Sequence, residues 1–368
     1  MSEVRNVASI AHSKTFVFAY PGDLQTLTGG YIYDSRIISE LTAQGWEIEL
    51  LSLGSGFPCP DQKTIKQAEQ LLCQVQVGKP IVVDGLALGA IPQSIAQVAI
   101  NHPIIALIHH PLAYESGLTL DQQVTFQESE TLALSYVDHV IANSPLTAQT
   151  LTESFGVASK GITTVIPGSN RVSPPLHQVR ENFTNQDPFR WLSVGSIIPR
   201  KGFSILVKSL AFLKDLPWSL SIVGDTTRDP SAYADLLKTI ADFDLQDRIQ
   251  IHGVIDSEEL DSLYRNADGF VLASLFEGYG MAYAEALSYA LPIIGTRGGA
   301  ITQTVPESAG ILTPPGDLPS LTAALRLVMS DRDQRERLSI GGQEAAKKLP
   351  TWSESAKIFA QLIQSYVD

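Results

Sequence analysis

The segment best equipped for chemistry runs from Leu275 to Leu287, LFEGYGMAYAEAL. Its two carboxylates, Glu277 and Glu285, stand eight residues apart. The spacing puts the first in a glycine-rich loop and the second one turn inside a helix. A helix start offers free amides and a dipole that favours an anion. The glycines let a diphosphate approach the backbone around Gly280 and Met281. A carboxylate one turn further in would repel phosphate but accepts hydrogen bonds from paired sugar hydroxyls, so Glu285 reads as a ribose binder. Glu277, ahead of the helix, is placed to meet a transferred sugar. Taken singly, the same residues would be a helix-start acid and a solvent-facing acid.

A second segment, SVGSIIPRKGF from Ser193 to Phe203, reads as a strand, a glycine turn and a basic pair at a helix start. Positive charge there opposes the helix dipole. Arg200 and Lys201 are favourable at that point when an anion lies between them and the helix; a planar fork and a point charge both suit diphosphate. The plainer alternative is a solvated basic pair at a turn. In the first half of the chain, Asp84 follows the apolar run PIVV and could touch acceptor hydroxyls or simply start a turn. His109 and His110 follow the run IIALI.

These segments resemble the retaining glycosyltransferases of family 4, which have the GT-B fold. EGYGMAYAE matches that family's E-x7-E motif and PRKG its diphosphate turn. The likeness continues through LPIIGTRGGA (Leu291–Ala300) and AGILTPPGD (Ala309–Asp317). In the first half it rests on Gly29–Gly30, on His109 and on Ile166-Pro167-Gly168. The resemblance implies that Gly30 lies beside the donor diphosphate or acceptor, and that His109 faces the transferred sugar. Gly29–Gly30 could otherwise be a turn needing positive φ. His110, with Asp84, is a candidate acceptor contact. Two departures stand out: Ser196 occupies a place where the family often has Arg, and Gln303 one where a Glu is common.

The elements that must position these residues alternate along the chain. Short β-branched runs at 15–19, 47–53, 80–83, 104–108 and 139–142 are followed by amphipathic stretches such as 31–44, 63–76 and 128–136. The pattern stops around Pro167 to Pro188, which carries Pro174 and Pro175, and restarts with strands at 190–194, 220–223, 249–251, 269–273 and 292–295. Helical spacing covers 203–214, 231–243, 256–266, 281–289, 318–329, 333–348 and 353–366, with Asp256 and Glu259 fitting a capping box. Alternating βα units imply parallel sheets covered on both faces. The expected architecture is α/β: an N-terminal Rossmann-like acceptor domain (1–172), a linker (173–188), a C-terminal Rossmann-like donor domain (189–350), and a last helix (351–368) crossing back onto the first domain. Ligand is expected in the cleft between them.

Composition excludes several classes. A chain of 368 residues suits two domains. With a net charge of −13 and 18% charged residues, it is globular and repels nucleic acid and anionic lipid on average. Up to Lys160 the basic residues are only Arg5, Lys14, Arg36, Lys63, Lys66, Lys79 and Lys160. Cys59 and Cys73 form no framework or CxxC pair. No run reaches the length of a membrane span and the start lacks a signal-peptide core, so a cytoplasmic location is the expectation. Asp242-Phe243-Asp244 is formally a DxD but lies at the end of an amphipathic helix, Asp331-Arg332-Asp333 lies between helices, both read as solvated turns, and no metal or other cofactor is expected. The sequence thus points to transfer of a hexosyl unit from a nucleotide sugar to a sugar, polyol or lipid-linked acceptor. A GT-B epimerase, a phosphorylase and an inactive sugar-nucleotide binder remain alternatives. A dehydrogenase is disfavoured because Gly54-Ser55-Gly56 has Cys59 where a third glycine is needed. Base recognition is expected from backbone near Gly253 and Val254.

Overall fold

The computed structural model describes residues 14–115, 117–170 and 188–367. The linker expected at 173–188 therefore lies, except for Pro188, outside the described residues.

The first half contains β1 (Thr15–Tyr20), α1 (Gly29–Ala43), β2 (Glu47–Ser52), α2 (Gln62–Cys73), β3 (Ile81–Asp84), α3 (Gly85–Leu88), α4 (Pro92–Val98), β4 (Ile104–Ile108), α5 (Leu120–Leu134), β5 (His139–Ala142), α6 (Pro145–Ser154) and β6 (Ile162–Thr164). Its strands form one parallel sheet in the order β2-β1-β3-β4-β5-β6. Alternate residues of each strand point to opposite faces. Val17, Val83, Ala106 and Ile108 enter one core, while Phe16, Phe18, Val82, Ile105 and Leu107 enter another. Both faces of the central strands are covered, which is why β1, β3, β4 and β5 read as continuous apolar runs.

The second half contains β7 (Phe189–Val194), α7 (Phe203–Ala211), β8 (Trp218–Val223), α8 (Pro230–Asp242), β9 (Ile249–Gly253), α9 (Ser257–Asn266), β10 (Gly269–Val271), α10 (Met281–Ser288), β11 (Ile293–Thr296), α11 (Ile301–Thr304), β12 (Gly310–Thr313), α12 (Leu318–Ser330) and α13 (Arg332–Ala346). The parallel order is β12-β11-β10-β7-β8-β9. The expected two-domain α/β arrangement is therefore present. The last helix, α14 (Trp352–Val367), packs on α1 and β1 of the first sheet.

Each sheet changes direction of winding once, between β1 and β3 and between β7 and β10. A crevice opens at the carboxyl ends of strands on either side of such a switch. In the first sheet those ends lead to α1 and to Asp84. In the second they lead to the PRKG turn and to the FEGYG loop. The two segments singled out by chemistry are thus the two that border the second switch point.

Local details depart from the sequence reading. Gly29 and Gly30 open α1 behind the cap of Thr28, and neither is among the positive-φ glycines. Asp256 caps α9 by accepting from the amides of Glu258 and Glu259. The Glu259 carboxylate lies 3.6 Å from His252 rather than completing a capping box.

Candidate active site

The PRKG turn is a single 3-10 turn, Pro199–Lys201, followed by Gly202 in the left-handed region and then α7. Leu275 N donates to Arg200 O at 2.7 Å, which ties this turn to the FEGYG loop. Arg200 Nη1 donates to Glu277 Oε2 at 3.0 Å and to the Phe276 carbonyl at 2.7 Å. Lys201 Nζ donates to Glu277 Oε1 at 2.6 Å, an oxygen that also accepts from Ser274 Oγ at 2.6 Å. Glu277 is thus a buried carboxylate holding two cations, not an acid standing free in the cleft. Burial alone would raise its pKa, but Lys201 and Arg200 outweigh burial and hold it down at about 2. Burial in turn lowers Lys201, against the pull of Glu277. The Glu277 backbone is itself fixed by the glycine pair after β11: Glu277 N donates to Gly298 O and Ala300 N to Glu277 O.

Helix α10 starts at Met281 behind Gly280, whose φ of 92° is left-handed, and no side chain caps it. Arg200 and Lys201 stand beside a helix start whose amides no side chain caps, which is an arrangement for an anion. One turn in, Glu285 Oε2 accepts from Tyr264 Oη at 3.0 Å. Burial raises Glu285, while Tyr264 and the charge of Arg36 on α1 lower it.

The first domain meets this loop directly. A Cβ on Gly278 would come within 2.3 Å of the His109 carbonyl oxygen, so only glycine permits the two backbones to lie this close. Gly29 approaches the Met281 sulfur, and Gly30 lies against the His109 ring. His109 Nε2 is 3.0 Å from Asp34 Oδ1 and 3.4 Å from Asp84 Oδ2. These three side chains are the one His, Cys, Asp or Glu cluster of three or more among the described residues whose polar atoms lie within 4.8 Å of each other. Asp84 also caps α3, its Oδ1 accepting from Leu86 N at 2.8 Å. His110 Nε2 pairs with Glu115 Oε2 at 2.9 Å, and Glu115 Oε1 reaches Arg200 Nε at 3.5 Å across the cleft. Gln303 accepts from Leu146 N, another bridge between domains.

Nearly all the residues picked out by sequence thus border one cleft: Gly30, Asp84, His109 and His110 from one side, and Arg200, Lys201, Glu277, Gly280, Met281 and Glu285 from the other. Sequence reasoning missed Asp34, Glu115, Tyr264 and Ser274. The DxD segments lie elsewhere. Asp242 ends α8 paired with Lys238, and Asp331 caps α13.

Residues 177–345 match the family described as glycosyl transferases group 1. That stretch is a group 1 glycosyltransferase domain. Among solved structures, the sucrose-phosphate synthase of Thermosynechococcus elongatus superposes with a TM-score of 0.79 at 21% identity, covering 95% of this chain and 98% of that one. The Anabaena protein HepE, solved with UDP and glucose, gives 0.74 at 16% identity over 95% and 99%. These likenesses establish the GT-B fold. By sequence, the chain is 27% identical over 329 residues to the MMP alpha-(1->4)-mannosyltransferase of Mycolicibacterium hassiacum, covering 85% of this chain and 76% of the relative. It is 24% identical to the mannosylfructose-phosphate synthase of Agrobacterium fabrum over 68% of this chain, spanning 58% of that protein. Among the described residues no helix of the group 1 domain or its partner domain is long and apolar enough to cross a membrane.

Proposed function

We propose that the chain is a retaining, family 4 type hexosyltransferase that moves a hexosyl unit from a nucleoside diphosphate sugar to an acceptor hydroxyl without a metal ion. The observation that carries this reading is the pair Arg200 and Lys201, locked on Glu277 beside the uncapped start of α10, inside a group 1 glycosyltransferase domain. The diphosphate lies against these cations and the amides near Gly280 and Met281. The ribose hydroxyls take the free oxygen of Glu285, and the sugar projects between His109 and the Glu277 loop. Asp84 and His110 border the side from which the acceptor enters.

As the bond from the anomeric carbon to the diphosphate breaks, its electrons stay on the leaving oxygen. Arg200, Lys201 and the helix start stabilise that charge, which is the task a metal performs elsewhere. The acceptor oxygen bonds to the anomeric carbon on the same face, and its proton passes to the departing phosphate. Positioning supplies much of the remainder. Two of the relatives named above are, by name, a mannosyltransferase and a mannosylfructose-phosphate synthase; the sugar carried here is proposed only as a hexosyl unit.

Thermal stabilisation by UDP, GDP, ADP, their sugars and NAD tests the reading, because a ligand of the folded state raises the midpoint by mass action. One nucleoside diphosphate is expected to shift the midpoint, and Arg200→Ala and Lys201→Ala each to cut donor cleavage by roughly a hundredfold. A shift with NAD alone, or near-normal turnover in both variants, overturns it.

A further inference from the structure

We propose that Asp34 is a positioning residue for His109, and that Asp34 and Asp84 together fix the imidazole as a hydrogen-bond donor that cannot serve as the base in transfer. The consequence for transfer rests on the function proposed above; the geometry of the ring does not.

Asp34 lies on the buried face of α1, between Tyr33 and Ile37, with no exposed surface. A carboxylate in such a place costs several kcal/mol unless it is paired. The helix itself has no need of it there, since Thr28 supplies the cap. Its Oδ1 meets His109 Nε2, while its Oδ2 is buried without a partner. Asp84 brings a second carboxylate oxygen to the same ring nitrogen. An ionised carboxylate only accepts, so Nε2 carries a hydrogen. Two negative neighbours then favour the charged ring. Burial pushes His109 down, but Asp34 and Asp84 outweigh it and lift the ring to about 10. Burial raises Asp34, against the pull of His109, and the neighbouring Asp84 adds to the rise.

The surroundings add no competing charge. From α1, Tyr33 meets the imidazole edge-on at 5.2 Å with its hydroxyl spent on Val165 O. Tyr31, which feels Asp84 and Asp34, donates to Pro21 O. From the second domain, Gly278 lies against the His109 carbonyl. An imidazole so held can steady negative charge or donate to a sugar oxygen. Charged, the ring has no lone pair on either nitrogen with which to remove the acceptor's proton.

The test is the proton itself. In protein labelled with 15N-histidine, and with the His109 resonance assigned from His109→Gln, wild-type His109 is expected to stay protonated from pH 6 to 8.5. In Asp34→Asn, which keeps the shape and an acceptor oxygen, the ring is expected to titrate at least about one unit lower. The variant's kcat for donor cleavage is expected to fall about tenfold, with donor KM within about twofold of wild type and a new loss of rate toward alkaline pH. If Asp34→Asn does not fold, Asp84→Asn probes the same nitrogen. A wild-type His109 that titrates near the free value of about 6.5 overturns the proposal. So does an Asp34→Asn enzyme with unchanged ring titration and pH profile, or 15N shifts showing a divalent ion on the ring. The spectra need no sugar nucleotide, so a chain that binds none would defeat the proposed function and leave this assignment standing.

Discussion

Tyr264 contributes one hydrogen bond whose effect should be measurable at a distance from the chemistry. Its hydroxyl takes one oxygen of Glu285 and its ring stacks on Tyr289 at 4.7 Å, so the carboxylate is held while its other oxygen stays available. Tyr264→Phe keeps the stack and removes the donor. Burial then raises the Glu285 pKa further, unopposed by that bond, and more of it is neutral as pH falls. Donor affinity is expected to weaken about fivefold at neutral pH, the worth of one ordinary hydrogen bond of about 1 kcal/mol, and by more at pH 5, with kcat unchanged. Calorimetric titration with the preferred nucleotide at the two pH values checks it. Spacing in sequence could show Glu285, because the motif around it is local. It could not show Tyr264, which comes from α9 and meets Glu285 only through the packing of that helix on α10. Asp34 is hidden for the same reason: a lone acid in an amphipathic helix looks like part of the solvated face until the fold turns it inward.

Elements were most legible where burial is two-sided, although the exposed edge strand β2 was legible too. The apolar runs of β1, β3, β4, β5, β7 and β10 stand out because both faces of each sheet are covered. The strands β6 and β12 escaped notice; both are sheet edges, short and only partly buried. The helix α5 begins at Leu120, well before the expected Glu128, because Thr119 and Gln122 form a capping box while Leu120 and Val124 remain exposed and break the apolar stripe. That helix also carries Glu130, fully buried, which accepts from Leu112 N at 2.9 Å and so anchors the segment following His109 and His110. Burial pushes its pKa up to about 8. A carboxyl raised in the folded state favours folding most while protonated in both states, below about 4.5, and that contribution is lost as pH rises through about 8. Glu130→Gln retains the acceptor without the charge. Its thermal midpoint is expected to match wild type near pH 5 and to exceed it by several degrees, on the order of 3–5 kcal/mol, at pH 9. Midpoints measured across that range decide it; a parallel pair of curves would mean Glu130 titrates elsewhere.

At the scale of the molecule, two halves with the same architecture are bound by small contacts around one loop and by one large one. The small ones are Glu115 on Arg200, Leu146 on Gln303 and the His109 carbonyl on Gly278. The large one is α14, whose Trp352, Ala356, Phe359 and Ile363 complete the core made by Phe16, Tyr33 and Ile37. Ser169 N donates to Pro350 O and Ser355 Oγ to Ile166 O where the chain returns. Phe359→Ala leaves a cavity under the first sheet and is expected to cost about 3–5 kcal/mol. Hydrogen exchange should then quicken in β1 and α1 while β7, β8 and β10 keep their protection. Uniform loss across both sheets would show that the two cores do not open separately.

The return of α14 also sets synthesis against folding. The core of the second sheet draws its buried residues from Phe189 to Leu338, so it can close while the final helix is still inside the ribosome. The first sheet, made earlier, waits for that helix with Phe16 and Ile37 uncovered. The domain translated first is therefore the one completed last, and its unfinished face is what a chaperone would meet on the nascent chain.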